Sequence, residues 1–263
     1  MIIDSHAHVF PDIIAEKAAK NIGKFYGIDM KYDGTVATLL QEGTDAGVDK
    51  FLIHSVATSA SQIDSINSFI VRTVEKYPGK FIGFATLHPD SDNLKEQFEW
   101  AMEHGLKGVK LHPDCQKFHI DDEDAMPIYE LCEGRCPVLI HMGDERTEYS
   151  KGERLYNVLQ RFKNLDVIGA HFGGYSEWGP SAAFLSMSNI YVDTSSSMFK
   201  LTPHQVRELI DIYTPEHVLF GTDYPMWNAA DELEYLSKID LTDEERELIL
   251  HKNLERLLAK YEK

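Results

Sequence analysis

Cysteine is scarce in this sequence, and long apolar runs are absent from it. The 263 residues include three cysteines, Cys115, Cys132 and Cys136. An odd count in a long chain argues against a disulfide framework, and the C-x3-C pair lacks the second pair that a zinc knuckle needs. No apolar run reaches the roughly 18 residues of a membrane-spanning helix. The opening MIIDSHAHVF has neither the basic nor the apolar region of a signal peptide, so a cytoplasmic location is expected.

Positive charge is also in short supply. Lysine and arginine total 26 against 43 acidic residues, which gives a formal net charge of −17. Nucleic acids and anionic membrane surfaces attract basic proteins, so neither is an expected partner. The expected partner is a small-molecule substrate. An anionic substrate would need a local positive charge, such as a metal ion or a buried lysine or arginine.

Short apolar runs alternate with amphipathic stretches along the whole chain. There are eight such runs: Ile2–Asp4, Phe51–Val56, Phe81–Leu87, Gly108–Leu111, Val138–Ile140, Val167–Ala170, Ile190–Val192 and Val218–Phe220. This alternation predicts parallel strands joined by helices, and eight units predict an α/β fold of the (β/α)8 TIM-barrel type. An open doubly wound sheet is the alternative, but no G-x-G-x-x-G motif follows any run.

The predicted barrel extends over residues 1–263 as a single domain. Residues 10–47 hold extra helical sequence between the first two strands. They predict a small helical insertion after strand 1, which is a candidate cap over the barrel mouth.

Histidines collect at the predicted carboxyl ends of the strands. Seven of the twelve histidines follow or end a strand: His6, His8, His54, His88, His112, His141 and His171. Asp193 and Asp223 end the seventh and eighth strands. In a (β/α)8 barrel these ends converge on one mouth, where active sites are built.

The spacing of the first two histidines suits a metal ion. His6 and His8 are two residues apart on a strand, so both imidazoles project from the same face. Imidazole and carboxylate ligands suit Zn²⁺ or a similar divalent ion. With His141, His171 and Asp223 at the same rim, the pattern predicts a metal centre.

Six motifs, in order along nearly the whole chain, resemble those of the amidohydrolase superfamily. They are IIDSHAHVFP, KGVKLHPD, VLIHMG, IGAHFGG, LFGTDYP and NLERLL. The sequence is most similar to the amidohydrolase-2 group of TIM-barrel metal-dependent hydrolases. This group also contains the aminocarboxymuconate-semialdehyde and resorcylate decarboxylases.

The resemblance implies a role for each matching residue. His6 and His8 match the first-strand metal pair, and His141 matches the fifth-strand ligand. Asp223 matches the eighth-strand aspartate, which binds the metal and takes part in proton transfer. His171 matches the sixth-strand histidine that contacts the metal-bound water or the substrate. The expected cofactor is therefore one divalent ion, Zn²⁺ in the first place and Mn²⁺ as the alternative. A homodimer is expected from the resemblance alone.

The predicted activity is hydrolysis of a C–N or C–O bond in a small, carboxylate-bearing molecule. A divalent ion lowers the pKa of its bound water toward about 7, and Asp223 and His171 would handle the proton and the water. The alternative is non-hydrolytic decarboxylation of a small aromatic or unsaturated acid at the same site. A third hypothesis is a barrel that binds a ligand without catalysis.

Four further residues have more than one interpretation. Lys110 and His112 share a strand face and are predicted to bind substrate. Lys110 has two other interpretations: a carbamylated bridge between two metal ions, or a partner in a buried ion pair, for which Asp4 is a candidate. His54 either lines the barrel mouth or is a strand-end histidine with satisfied hydrogen bonds. Asp193 either supports the metal site or caps the segment that follows it.

Overall fold

The barrel strands follow the predicted runs closely. We describe a computed structural model that covers residues 1–186 and 190–262. Its strands are β1 Ile3–His8, β2 Lys50–His54, β3 Phe81–Gly83, β4 Ala85–Thr86, β5 Val109–Leu111, β6 Val138–Ile140, β7 Val167–Gly169, β8 Ile190–Asp193 and β9 Val218–Leu219. Each of the eight predicted runs overlaps a strand, and the third overlaps two.

The strands pair in parallel throughout the described chain and close into a barrel. The pairing order is β1-β2-β3 and then β4 through β9 in sequence. The chain changes partners at Phe84, whose N–H donates to the Ile53 carbonyl (3.0 Å), while the Ala85 N–H donates to Gly108 (2.8 Å). At the other seam, the Ser5 N–H donates to the Phe220 carbonyl at 2.8 Å. The predicted (β/α)8 class is confirmed.

Helices connect the strands on the outside of the barrel. They are α1 Asp12–Tyr26, α2 Val36–Asp45, α3 Ile63–Lys76, α4 Leu94–Glu103, α5 Pro113–Gln116, α6 Met126–Cys132, α7 Gly152–Arg161, α8 Trp178–Leu185, α9 Pro203–Tyr213, α10 Ala229–Ser237, α11 Asp243–Glu247 and α12 Asn253–Ala259. Single 3-10 turns lie at Ala60–Gln62, Glu123–Ala125 and Pro215–His217, and a π-helical turn at Leu248–Lys252 joins α11 to α12.

Side chains that point into the barrel change from apolar to polar toward its mouth. Leu52 and Leu139 belong to the buried apolar cluster inside the barrel. His54 and His141 follow them by two residues, and both are buried. Because side chains alternate faces along a strand, each histidine lies above a leucine on the same interior face. The two-residue period of each strand therefore places a layer of polar side chains above a layer of apolar side chains.

The extra helical sequence after β1 forms α1 and α2, as predicted. Thr35 caps α2, since its hydroxyl accepts from the Thr38 N–H at 3.2 Å. Helix α1 ends at Tyr26, whose hydroxyl lies 2.9 Å from His112 Nε2. This contact holds the end of α1 against the barrel mouth.

The described chain also agrees with two expected absences. Cys115, Cys132 and Cys136 are free thiols, so the expectation of no disulfide framework is met for them. Among the described helices, none combines the length and the apolar character that crossing a bilayer requires.

Glu232 on α10 is a buried carboxyl group whose Oε2 atom has no hydrogen-bond partner in the described chain. Burial raises the pKa of Glu232 to about 8, and the nearby Asp4 adds to the rise. A raised carboxyl pKa means that the folded protein keeps a proton that the unfolded chain releases. The free energy of unfolding therefore falls as pH rises from the ordinary glutamate range to about 8. We expect Glu232→Gln to raise the free energy of unfolding by about 2–4 kcal/mol at pH 8 and by much less near pH 5.

Urea unfolding at both pH values measures this effect. Glu234→Gln is the matched control, because Glu234 lies on the same helix but is 70% exposed and pairs with Lys238. The control should change the free energy of unfolding by less than about 0.5 kcal/mol. Equal stabilisation by Glu232→Gln at pH 5 and pH 8 would assign the effect to packing and contradict the titration.

Candidate metal centre and active-site pocket

Three of the predicted site residues meet at the floor of the barrel mouth. The Oδ1 atom of Asp223 lies 3.5 Å from His6 Nε2 and 3.3 Å from His8 Nε2. Four ligands at about 2.0–2.2 Å from a tetrahedral ion lie roughly 3.3–3.6 Å from one another. The observed separations therefore fit three ligands of one divalent ion.

Asp193 orients the His6 ring. Its Oδ2 atom lies 2.8 Å from His6 Nδ1, and its Oδ1 atom accepts from the backbone N–H groups of His171 (3.0 Å) and Ser195 (3.1 Å). Burial alone would raise the pKa of Asp193, but its interactions with His6, His171 and Ser195 together outweigh burial and lower it to about 2. A carboxylate on Nδ1 keeps the proton there, so Nε2 presents its lone pair to the site. Asp193 thus has both of the roles considered for it, since it supports His6 and also caps the turn after β8.

His141 joins the group through His171. His141 Nδ1 lies 2.9 Å from His171 Nε2, and the His6 and His171 rings stack with centroids 5.2 Å apart. His141 Nε2 has no hydrogen-bond partner in the described chain and is 3.7 Å from Asp114 Oδ2. His171 has a φ of +60° and Asp223 a φ of +65°. Both predicted catalytic residues therefore occupy the left-handed region, a strained conformation that is common at functional sites.

The electrostatics favour neutral imidazoles beside an ionised carboxylate. Burial lowers the pKa of His6 to about 4, and it lowers the pKa values of His8 and His141 below their ordinary range. Burial alone would raise the pKa of Asp223, but the neighbouring imidazoles, first that of His6, outweigh burial and hold it well below its usual range. Neutral imidazole and ionised carboxylate are the forms that bind a metal ion.

Lys110 occupies a different position from the one that an ion pair with Asp4 requires. Its Nζ atom lies 3.2 Å from His6 Nε2. Asp4 instead accepts hydrogen bonds from the Thr222 hydroxyl (2.7 Å) and from the Thr222 and His6 backbone N–H groups (3.0 and 3.1 Å). The ion-pair interpretation is therefore wrong, because Thr222 and the backbone already satisfy Asp4. Burial lowers the pKa of Lys110 to about 8. Its predicted substrate role stays a prediction.

His54 is fully buried and, within the described residues, neither of its ring nitrogens has a hydrogen-bond partner. The interpretation as a satisfied strand-end histidine is therefore wrong. Its ring lies 4.4 Å from that of His8 and 4.9 Å from that of His6, and it could join them around one ion.

His112 instead stacks on His141, with centroids 3.9 Å apart and planes 8° apart. His88 accepts from the Asp90 N–H at 3.2 Å and reads as an ordinary strand-end histidine.

Two side chains at the site were missed by the sequence reasoning. The Ser196 hydroxyl donates to Asp223 Oδ2 at 2.5 Å and accepts from Trp227 Nε1 at 2.8 Å. The run of serines directly after Asp193 was the available signal for Ser196. Tyr26 contacts His112 from a helix 86 residues away, and no local pattern marks such a contact.

A pocket of about 680 Å³ opens above these residues. His8, His112, His141 and Asp223 form its polar floor. Its walls come from α1 on one side and from the start of α3 on the other. A pocket of this size accepts a drug-sized ligand.

A parallel barrel with converging imidazoles and carboxylates at the carboxyl ends of its strands defines the class of metal-dependent barrel enzymes. The donor set fits a divalent ion, since His141 Nε2 and both nitrogens of His54 are buried without partners. Comparison with known proteins narrows the class. Residues 3–260 match the Amidohydro_2 family model, described as amidohydrolase. The chain belongs to this family of metal-dependent enzymes, as its motifs indicated.

Three similar proteins show the range of this group. A 2-keto-4-carboxy-3-hexenedioate hydratase of Sphingobium sp. is 25% identical over 260 residues, covering 79% of this chain and 73% of the relative. An uncharacterized TIM-barrel protein of Bordetella bronchiseptica superposes with a TM-score of 0.79 at 21% identity, covering 99% of both chains. A dihydroxybenzoic acid decarboxylase of Polaromonas sp. JS666, with bound manganese and the inhibitor 2-nitroresorcinol, superposes with a TM-score of 0.74 at 15% identity, covering 100% of this chain and 98% of that one.

Proposed function

We propose that this protein is a metal-dependent hydrolase that cleaves a C–N or C–O bond in a small, carboxylate-bearing molecule. The observation that carries the proposal is the Asp223 carboxylate. It lies on the pocket floor, 3.3 and 3.5 Å from the imidazoles of His8 and His6. A carboxylate in this position can serve both as a ligand and as an acceptor of a proton from water.

His6, His8, His141 and Asp223 would hold the ion. Nitrogen and oxygen donors suit Zn²⁺ best and Mn²⁺ next. When bound, a divalent ion lowers the pKa of a water molecule and polarises the oxygen of a carbonyl group.

The chain's own residues handle the proton. Asp223 would accept it at a carboxylate oxygen and later donate it to the leaving nitrogen or oxygen. The Ser196 hydroxyl fixes the carboxylate through its 2.5 Å hydrogen bond to Oδ2. His171 Nδ1 lies 3.0 Å from the Ser195 carbonyl oxygen, which can only accept, so the lone pair of His171 Nε2 accepts from His141 Nδ1 at 2.9 Å. His141 then keeps the lone pair of its Nε2 atom for the ion, and His171 is a positioning residue for it.

Decarboxylation of an aromatic or unsaturated acid is the second candidate. The observation that favours it is the aromatic character of the pocket, which includes Phe25, Tyr26, Phe69 and the stacked imidazoles of His112 and His141. Flat aromatic acids pack well against such surfaces. The same carboxylate and imidazoles would serve both reactions.

Turnover in water enriched in oxygen-18 tests the proposal. The metal-loaded protein is screened against lactones, amides, and aromatic and unsaturated acids, and the products are analysed by mass spectrometry. We expect oxygen-18 in a product of bond cleavage. Release of CO₂ together with an organic product that has lost one carboxyl group and carries no label would support the second candidate instead. Addition of water without cleavage would replace hydrolysis by hydration, and no turnover across the panel would overturn the proposal.

A further inference from the structure

The walls of the active-site pocket are apolar on both sides. Helix α1 contributes Ile14, Ile22 and Phe25, and α3 contributes Ile66 and Phe69. These side chains are half-buried or exposed and line the pocket, and Ile66 and Phe69 also pack against the hydrophobic core. An apolar ligand body would bury them, whereas a charged one would lose its hydration without compensation.

Positive charge is nearly missing from the same pocket. Its charged lining residues are Asp114, Asp223 and Lys117. Lys117 is exposed, so solvent and salt screen its charge. Within the part of the chain that the structure describes, no arginine lines the pocket. A second carboxylate at the distal end of the substrate would therefore meet mainly apolar walls along α1 and α3.

Three basic residues that could have held a substrate carboxylate, Arg146, Arg154 and Lys110, already contact other groups. Arg146 forms two hydrogen bonds to Asp144, at 2.8 and 2.6 Å, and a third to the Phe25 carbonyl at 2.7 Å. Arg154 donates to Asp121 and to the Glu148 carbonyl, each at 2.7 Å. Lys110 lies beside His6, below the floor. None of the three is free to hold a distal carboxylate.

We infer that the substrate carries its one charged or reacting group at the metal end and an uncharged apolar body along α1 and α3. The chemical class is a monocarboxylic acid or a neutral acyl compound, not a di- or tricarboxylate. This inference rests on the proposed function for the position of the reacting group beside Asp223.

Binding of two non-hydrolysable acids to the metal-loaded protein tests the inference. The probes are 4-phenylbutyrate, with one carboxylate and an apolar end, and adipate, with a carboxylate at both ends. Calorimetry should show 4-phenylbutyrate binding about tenfold more tightly. Ile14→Lys places a cation in the wall and should lower that preference by about threefold. Ile212→Lys is the matched control, because Ile212 on α9 is 46% exposed against 48% for Ile14 and lies outside the pocket.

The binding measurements test the inference about the substrate independently of the proposed hydrolase activity. Equal or tighter binding of adipate, an unchanged preference in Ile14→Lys, or no binding of 4-phenylbutyrate would overturn it. A clear preference for 4-phenylbutyrate together with an absence of turnover would leave the inference standing and remove the proposed function. An altered preference in Ile212→Lys would assign the effect to net charge and also overturn the inference.

Discussion

Replacing Asp223 with asparagine is expected to lower kcat/KM by about 10³-fold. The amide keeps the shape of the side chain and can still accept the hydrogen bond from Ser196. It cannot accept a proton from water, and it lacks the negative charge beside His6 and His8. The measurement is steady-state kinetics on a substrate from the screen, with metal content determined by elemental mass spectrometry on the same sample.

Asp211→Asn controls for the loss of one carboxylate. Asp211 lies on α9, is 56% exposed and pairs with Arg207 far from the mouth, so this variant should keep full activity. If metal-loaded Asp223→Asn kept wild-type kcat/KM, Asp223 would have no part in proton transfer.

Removal of the metal is expected to lower activity by at least about 10²-fold, with recovery on adding Zn²⁺ or Mn²⁺. Without the ion, the neutral imidazoles and Asp223 have no centre to polarise the reacting oxygen. Dialysis against a chelator followed by re-addition of each ion measures the loss and the recovery. Protein purified without chelator should contain about one ion per chain.

The metal count also decides the role of Lys110. About two ions per chain would favour the carbamylated, bridging form of Lys110, which lies 3.2 Å from His6 Nε2. Full activity in metal-free protein would contradict the whole assignment of His6, His8, His141 and Asp223. His204→Ala serves as a control for the loss of an imidazole, because His204 is 83% exposed and should not change the count.

The fold was predictable because its signals are local. A parallel strand buried on both faces appears as a short apolar run, and the amphipathic stretch that follows identifies the crossover helix. Each predicted run overlaps a strand in the structure. The break between β3 and β4 was not predicted, because it depends on Phe84 pairing with β2 while Ala85 pairs toward β5. The π-helical turn at Leu248–Lys252 was likewise missed inside a segment with an ordinary helical pattern.

The contacts at the mouth were less predictable than its composition. His6, His8 and Asp223 were expected at one rim, and the structure places Asp223 Oδ1 3.5 Å from His6 Nε2 and 3.3 Å from His8 Nε2. The contact between Lys110 and His6 was not predicted. Asp4, the partner considered for Lys110, already accepts hydrogen bonds from Thr222 across the barrel seam. The two-residue period of a strand determines to which face of the sheet a side chain points. It does not determine which neighbouring residue that side chain contacts.

The sequence by itself determined the barrel class, the order of the strands and the identity of the polar residues at their carboxyl ends. It could do so because strand alternation and apolar periodicity involve residues a few positions apart. Only the tertiary structure decided that Asp193 orients His6, that His54 is buried without partners and that α1 and α3 wall the pocket with apolar side chains. Those outcomes depend on barrel closure, which brings together groups as distant as His6 and Asp193, 187 residues apart. Their energies arise from burial and pairing that no local pattern encodes.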